Sequence, residues 1–547
     1  MQFLWVLIVL CSCGSGGRDS TDVDPPDISP PPNPTPVDPI VPDVVAEEFF
    51  SGGDASIESQ NNDAFSFSPE AIQTDFSLDA TFVLGNQLFR TASRDQGPLL
   101  NNGTCQGCHR NDGRGAPPVD QNTPMVSMFL RLSLGNDADN NAIADPIYGT
   151  QLQTFGLASF QGNDISAGLA VHEGGDAAAI GEAFAFIEYE PVVGSYPDGT
   201  AYELQRPVYK IRDLSYGDFS DGILISPRVS PQMIGLGLLE AIPEADIRAL
   251  ADPDDTDSNG ISGRINERVS ALSGETELGR FGYKATTSNI LEQGASAYTG
   301  DMGSTNSIFT DEPCTSAQQA CINQAMLEAN QGQDGTDITD VELALVEFYS
   351  RTLAVPVRRG FDQVTQTFDD DVLRGRSQFH LLGCAECHQP DYETGIAEGS
   401  ILGTVQIINL IPDAPPIEVL SNQRIWPYTD MLLHDMGGQC DAVSRETIEE
   451  ETCDTGPECL WVFRCEGLAD GRPDGLASGT EWRTAPLWGL GLVQTVGPDA
   501  QFLHDGRART IEEAVLWHGG EAQASLDAFM QLSSDERADV IRFLESL

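Results

Sequence analysis

Apolar positions fall unevenly along the chain. The first run, Phe3–Leu10, is eight residues long, far short of the ~20 needed to cross a bilayer. No later stretch is long and apolar enough, so no transmembrane helix is expected. Asp24–Pro42 is rich in Pro and Asp, with Ser29-Pro30-Pro31-Pro32-Asn33-Pro34 at its centre. Proline fixes φ and removes a donor, which predicts an extended, semi-rigid tether. About 20 such residues at ~3.1 Å each reach roughly 60 Å. Polar, loose composition continues to about Asp75. Beyond it, Gly85-Asn86-Gln87-Leu88-Phe89 and Gly375-Arg376-Ser377-Gln378-Phe379 each predict a short helix running into a cysteine-bearing turn. His380 shares the second of these helices.

Leu10-Cys11-Ser12-Cys13-Gly14 resembles a bacterial lipoprotein signal, although the positive n-region of a signal peptide is missing. Residues 1–12 then form the signal peptide, and Cys13 becomes a lipidated N-terminus. A plain cleaved signal is the other reading. Either predicts export to the periplasm or cell surface, with membrane contact only through the lipid. Composition sharpens this picture. The 29 basic residues face 84 acidic ones, a net charge of -55, and Lys210 and Lys284 are the only lysines. Such a surface repels phosphate backbones and excludes nucleic-acid binding; it favours basic partners. The 40% apolar fraction suffices for a sizeable core.

Twelve cysteines divide by spacing. Four form Cys105-Gln106-Gly107-Cys108-His109 and Cys384-Ala385-Glu386-Cys387-His388. Cys-x-x-Cys-His is the attachment motif of c-type haem: two thiols add to the porphyrin vinyls and the next histidine meets the iron. Chance predicts about 0.003 matches in a chain of this composition. A redox dithiol needs no following histidine, and a zinc site would require two distant segments to meet. The motifs therefore predict two covalently bound haem c groups, with His109 and His388 as iron ligands. Cys314, Cys321, Cys440, Cys453, Cys459 and Cys465 remain. An even remainder in an exported chain predicts three disulfides. Cys314 and Cys321 suit a pair; the other four allow three connectivities.

Glu481-Trp482-Arg483-Thr484-Ala485-Pro486-Leu487 and Phe502-Leu503-His504-Asp505-Gly506-Arg507, followed by Thr510-Ile511-Glu512-Glu513-Ala514-Val515, resemble segments of the bacterial di-haem cytochrome c peroxidases and the methylamine-utilisation di-haem enzymes. Leu516-Trp517-His518-Gly519-Gly520-Glu521 and Ser226-Pro227-Arg228-Val229-Ser230-Pro231-Gln232-Met233 look most like the branch of di-haem oxidoreductases labelled thiol oxidoreductases or peroxidases. So do Gly279-Arg280-Phe281-Gly282-Tyr283-Lys284 and Tyr428-Thr429-Asp430-Met431-Leu432-Leu433-His434. The resemblance runs from roughly residue 75 to the C-terminus.

It implies a mainly α chain: two cytochrome-c-like haem domains with loop-rich insertions, preceded by a disordered Pro/Asp-rich tether. The expected boundaries are a linker over 13–75, an N-terminal haem domain over 76–360, and a C-terminal haem domain over 361–547 with a Cys-rich insert at 440–465. By position, His518 matches the family's sixth ligand of the C-terminal haem. A bis-histidine iron is closed to substrate and lies at lower potential than a His/Met one, which makes that haem the electron-transfer centre. Gln293 and Asp301 resemble the Gln and Glu of the peroxidase pocket at the N-terminal haem, although they stand closer together and Asp replaces Glu. The ordinary alternative for both is a polar helix surface. His172 reads as a loop residue or a movable sixth ligand. His434 and His504 are expected near the C-terminal haem, and Trp482, Trp488 and Trp517 read as packing or as an electron relay.

Asp255, Asp257 and Asn259 take the first, third and fifth places of an EF-hand-type loop, but Asn266 stands at the twelfth. Calcium binding and a plain acidic turn are both open. The resulting expectation is an exported di-haem oxidoreductase of peroxidase type. It would take electrons from a small redox protein or another donor and reduce peroxide or a similar oxidant at the N-terminal haem. The rivals are a non-enzymatic di-haem electron carrier and an oxidase of thiols or proteins.

Overall fold

Two helices of matching design carry the cysteine motifs. Phe76–Arg90 starts where the Asp75 carboxylate accepts the amides of Ser77 and Leu78, which satisfies donors that a helix start leaves open. It buries Phe82, Gly85 and Phe89 against Asp340–Arg351, whose Thr339 and Glu342 form a capping box. Asp370–Leu381 buries Val372, Gly375 and Phe379 against Ser534–Ser546, capped in the same way by Ser533 and Glu536. Both contacts need a residue without a side chain. A Cβ at Gly85 would lie 2.2 Å from the Leu345 carbonyl oxygen, and one at Gly375 would lie 1.9 Å from that of Asp539.

The computed structural model describes residues 46–92, 97–156, 179–329, 336–400, 415–447 and 459–547. The expected signal peptide, Cys13, the Pro/Asp-rich tether, His172 and Cys453 lie outside them. Among the described residues no helix is long and apolar enough to cross a membrane. The described elements all belong to one unit, Val41–Leu547.

The expectation of a mainly α fold is corrected: the structure is 30% helix and 20% strand. Its largest sheet has five antiparallel strands. Phe184–Ser195 pairs with Ala201–Arg212, which pairs with Cys459–Glu466; that strand also takes Gln439–Cys440 and Ser444–Thr447. Ala185, Ile187, Tyr209, Ile211 and Phe463 bury one face of the sheet. Phe184, Phe186, Val208, Leu460 and Val462 bury part of the other. Strand partners some 250 positions apart leave no mark in local periodicity.

The linker expected over 13–75 is also corrected at its C-terminal end, because Ala46 onward is ordered. Ser56–Ile57 pairs in parallel with Val355–Pro356. Glu48 is buried between Arg358 at 2.6 Å and Arg376 at 2.9 Å, and it accepts the Tyr428 hydroxyl at 3.1 Å. A carboxylate so placed anchors this strap, since removing one partner of a buried pair leaves an uncompensated charge costing about 3–5 kcal/mol.

Disulfides join Cys314 to Cys321 and Cys440 to Cys465. Cys459 is also disulfide-bonded.

Candidate functional site

Both Cys-x-x-Cys-His motifs open onto one cavity of about 480 Å³. Cys105, Cys108 and His109 line it from one motif, and Cys384, Cys387 and His388 from the other; His518 also faces it. All four of these cysteines are free thiols. Burial pushes Cys105 and Cys384 up to about 12, the opposite of the depressed thiol that a redox dithiol uses. Among the described residues, no three His, Cys, Asp or Glu side chains converge as a metal cluster.

At the first motif, Cys105–Cys108 is a single helical turn capped by the Thr104 hydroxyl, which accepts the Gly107 amide at 2.9 Å. The His109 amide donates to the Cys105 carbonyl. Its ring Nδ1 lies 2.7 Å from the Pro231 carbonyl. Ser230, one residue earlier on that loop, donates its hydroxyl to the Cys108 carbonyl at 2.5 Å. The second motif repeats the device: the His388 amide donates to the Cys384 carbonyl, and His388 Nδ1 lies 2.9 Å from the Tyr428 carbonyl. Phe89 and Phe379 sit 6.2 Å and 6.1 Å from the two imidazoles.

His518 follows the helix Ile511–Leu516, and its Nδ1 lies 2.7 Å from the Ala514 carbonyl. A carbonyl only accepts, so Nδ1 carries the proton in all three rings. Burial holds His109 and His388 down to about 4 and lowers His518. Each ring is therefore neutral, with its lone pair on Nε2, the tautomer of an iron-ligating imidazole. His518 further disfavours charge on His388, and both rings line the cavity. His504 lines the same cavity and is likewise held down to about 4 by burial.

The other histidines differ. His434 Nε2 lies 2.7 Å from Asp430 and its Nδ1 2.8 Å from Glu521. Burial opposes its charge, but the bonds to Asp430, Cys387 and Glu521 outweigh it and push His434 up to about 12. It is an imidazolium with no lone pair to offer. His504 stacks on Trp482 with ring centres 3.8 Å apart. His380, held down to about 4 by burial, leaves its buried Nε2 without a partner. Trp482 lines the cavity, Trp488 belongs to the core around the first motif, and Trp517 lies under Arg507.

Gln293 and Asp301 project from the helix Ile290–Met302, which the Asn289 side chain caps, and both line the cavity. The Gln293 carbonyl oxygen accepts the Thr287 hydroxyl at 2.7 Å. Asp301 Oδ1 accepts from the Gln151 amide at 2.7 Å, and the Gln151 oxygen accepts from Arg131 at 3.0 Å. Burial raises the Asp301 carboxyl, against the Gln151 bond and the Arg131 charge. Arg131 and Gln151 escaped the sequence reading; the cavity-lining Arg228 and Arg483 stand in the family-like segments but were given no role there. Burial lowers Arg131 and Arg483 to about 10. Arg131 Nε is buried without a partner. A run of acidic sequence gives no sign of which few arginines turn inward.

In the acidic loop, Asp255, Asp257 and Asn259 use side-chain oxygens to accept the amides of Gly260, Asn259 and Ile261. These are turn contacts within the loop.

A family model described as "Di-haem oxidoreductase, putative peroxidase" matches residues 46–463 and 457–547. No curated protein matches the chain. Among solved structures, hydrazine synthase of Kuenenia stuttgartiensis, pressurized with xenon, shows 15% identity and a TM-score of 0.21. The match covers 43% of this chain and 63% of that one, and at this TM-score it carries no argument.

Proposed function

The chain belongs to the di-haem oxidoreductase family, and from that premise we propose an exported c-type cytochrome with peroxidase-like activity whose two sites divide the work. Cys105 with Cys108, and Cys384 with Cys387, would each hold one haem through thioethers, with His109 and His388 as iron ligands. The donor set fits: four free cysteines and four imidazoles held neutral by burial, His109, His388, His504 and His518, line one cavity. Haem supplies the one-electron chemistry; axial ligands, hydrogen bonds and burial tune it. Arg114, Arg131, Arg228 and Arg483 are cavity cations suited to the propionates, and the buried Arg131 Nε has no partner in the protein.

The observation that carries the proposal is that both motifs, His518, Gln293 and Asp301 line one cavity. His388 and His518 offer two lone pairs at the second site, a closed arrangement suited to receiving electrons. At the first, Gln293 and Asp301 share the cavity with His109. There the Asp301 side chain, in its carboxylate form, can take the proton from the near oxygen of a peroxide and return it from the resulting carboxyl to the far one, as O–O cleavage requires. The Gln293 amide, its oxygen engaged by Thr287, has N–H groups left to orient that peroxide. Gln151 fixes which Asp301 oxygen is engaged. Export is supported by the disulfides, and the charge of -55 suits a basic electron-donor protein.

The test is spectroscopic and kinetic. The ferric or half-reduced holoprotein should show a high-spin component that responds to peroxide, and should consume peroxide when supplied with a reduced donor protein. Two low-spin irons indifferent to peroxide at every redox level would contradict the proposal and leave an electron carrier.

A further inference from the structure

We propose that His434 is a positioning residue that staples the segment His518–Glu521 to the loop Tyr428–Asp430, and so keeps the second site closed by two imidazoles. This rests on the reading of His518 as an iron ligand.

The loop side is fixed first. The Tyr428 carbonyl orients His388 at 2.9 Å, and the Asp430 amide donates to the Cys387 carbonyl at 3.0 Å. The loop is in turn held by the Thr429 hydroxyl on the Thr484 carbonyl at 2.6 Å. Asp430 then presents its carboxylate to His434 Nε2 at 2.7 Å. His434 is held in the strand Leu433–Asp435, opposite Trp482. Its other nitrogen meets Glu521 at 2.8 Å and lies 3.6 Å from Cys387 Sγ. One imidazolium thus joins the loop that aims His388 to a residue three positions beyond His518.

Between ligand and fastener stand two glycines. A Cβ at Gly520 would lie 2.1 Å from the Asp435 carbonyl oxygen, and one at Gly519 would lie 3.2 Å from that of Met436. The turn seats on the strand end because neither residue has a side chain, and for the same reason neither can grip it. Glu521 supplies the grip, with His434 on one side and Ser262 on the other, whose hydroxyl and amide donate at 2.6 Å and 3.1 Å. Ser262 brings in the acidic loop, which thereby braces the segment that carries His518.

The experiment compares ferric holoproteins by absorption and electron paramagnetic resonance. Three variants are needed: H518A, E521A and H434Q. H518A should lose the low-spin signal of the second site. E521A and H434Q should lose it in large part too, leave the first site's signal unchanged, and regain it on adding free imidazole. H434Q removes the cation between Asp430 and Glu521; if it fails to fold, E521A, which leaves His434 paired with Asp430, carries the test. Should H518A lose the signal while E521A keeps it, the staple is overturned and the ligand stands. Should H518A keep it, the ligand reading fails, and the staple with it.

Discussion

The two Cys-x-x-Cys-His sites share a scaffold and differ in what faces it. Each follows a helix packed through a glycine, each histidine donates Nδ1–H to a loop carbonyl, and each has a phenylalanine about 6 Å from the ring. Across the cavity the likeness ends. Facing the first stand an amide, a carboxyl and an arginine drawn from the helix Ile290–Met302 and from residues 131–151. Facing the second stands another imidazole, with its fastening of Glu521, His434 and Asp430. The lesson is that the repeated part specifies attachment, and the unrepeated, long-range part specifies reactivity.

The comparison can be broken most severely at the attachment points. Replacing Cys105 and Cys108 by alanine should leave one covalently bound haem per chain instead of two, read by haem stain and pyridine haemochrome absorbance, with the second site still low-spin. H518A should next convert the second site from low- to high-spin and make it bind exogenous ligands. An unchanged spectrum would remove His518 from the iron.

D301N should reduce peroxide turnover by about 10²–10⁴-fold, the range for loss of a positioned acid–base group, and leave both absorption spectra near wild type. It also has a pH signature. Burial raises the Asp301 carboxyl, so its protonated form is favoured in the fold. That contribution to stability is full below the ordinary aspartate value of ~3.9 and is lost as pH rises through the raised one. Asparagine fixes the neutral form. D301N should therefore unfold at higher temperature than wild type near neutral pH, with the gap closing towards acid. A gap that widens in acid would show that the sign is wrong.

The smallest expected effect is at Arg131. R131Q removes a cation beside the first site and should lower its midpoint potential by the order of 1 kcal/mol, roughly 40 mV for one electron. The second site should move much less in the same redox titration.

Attachment was legible in the sequence because it is local: five consecutive residues state the two thiols and the ligand. His518 was found by its place in a family segment, and its Nδ1 bond to Ala514 is again local. The strands Ala201–Arg212 and Cys459–Glu466 were missed because their pairing is distant and their burial mixed. Gln151 reaches Asp301 across 150 residues, and nothing in its own neighbourhood marks it. Glu48 fell inside apparently loose sequence, since what orders it is a pair of arginines more than 300 positions away. That the charged form of His434 is favoured required both carboxylates to be seen together.

The central claim is that one iron is closed by two imidazoles and the other is open. Low-temperature electron paramagnetic resonance of the mature protein, taken fully ferric and then half-reduced, tests it most directly. The account predicts one low-spin bis-imidazole centre and one centre that is high-spin, in the ferric state or on half-reduction. Two low-spin centres of equal weight at both redox levels, or a single haem signal, would contradict it.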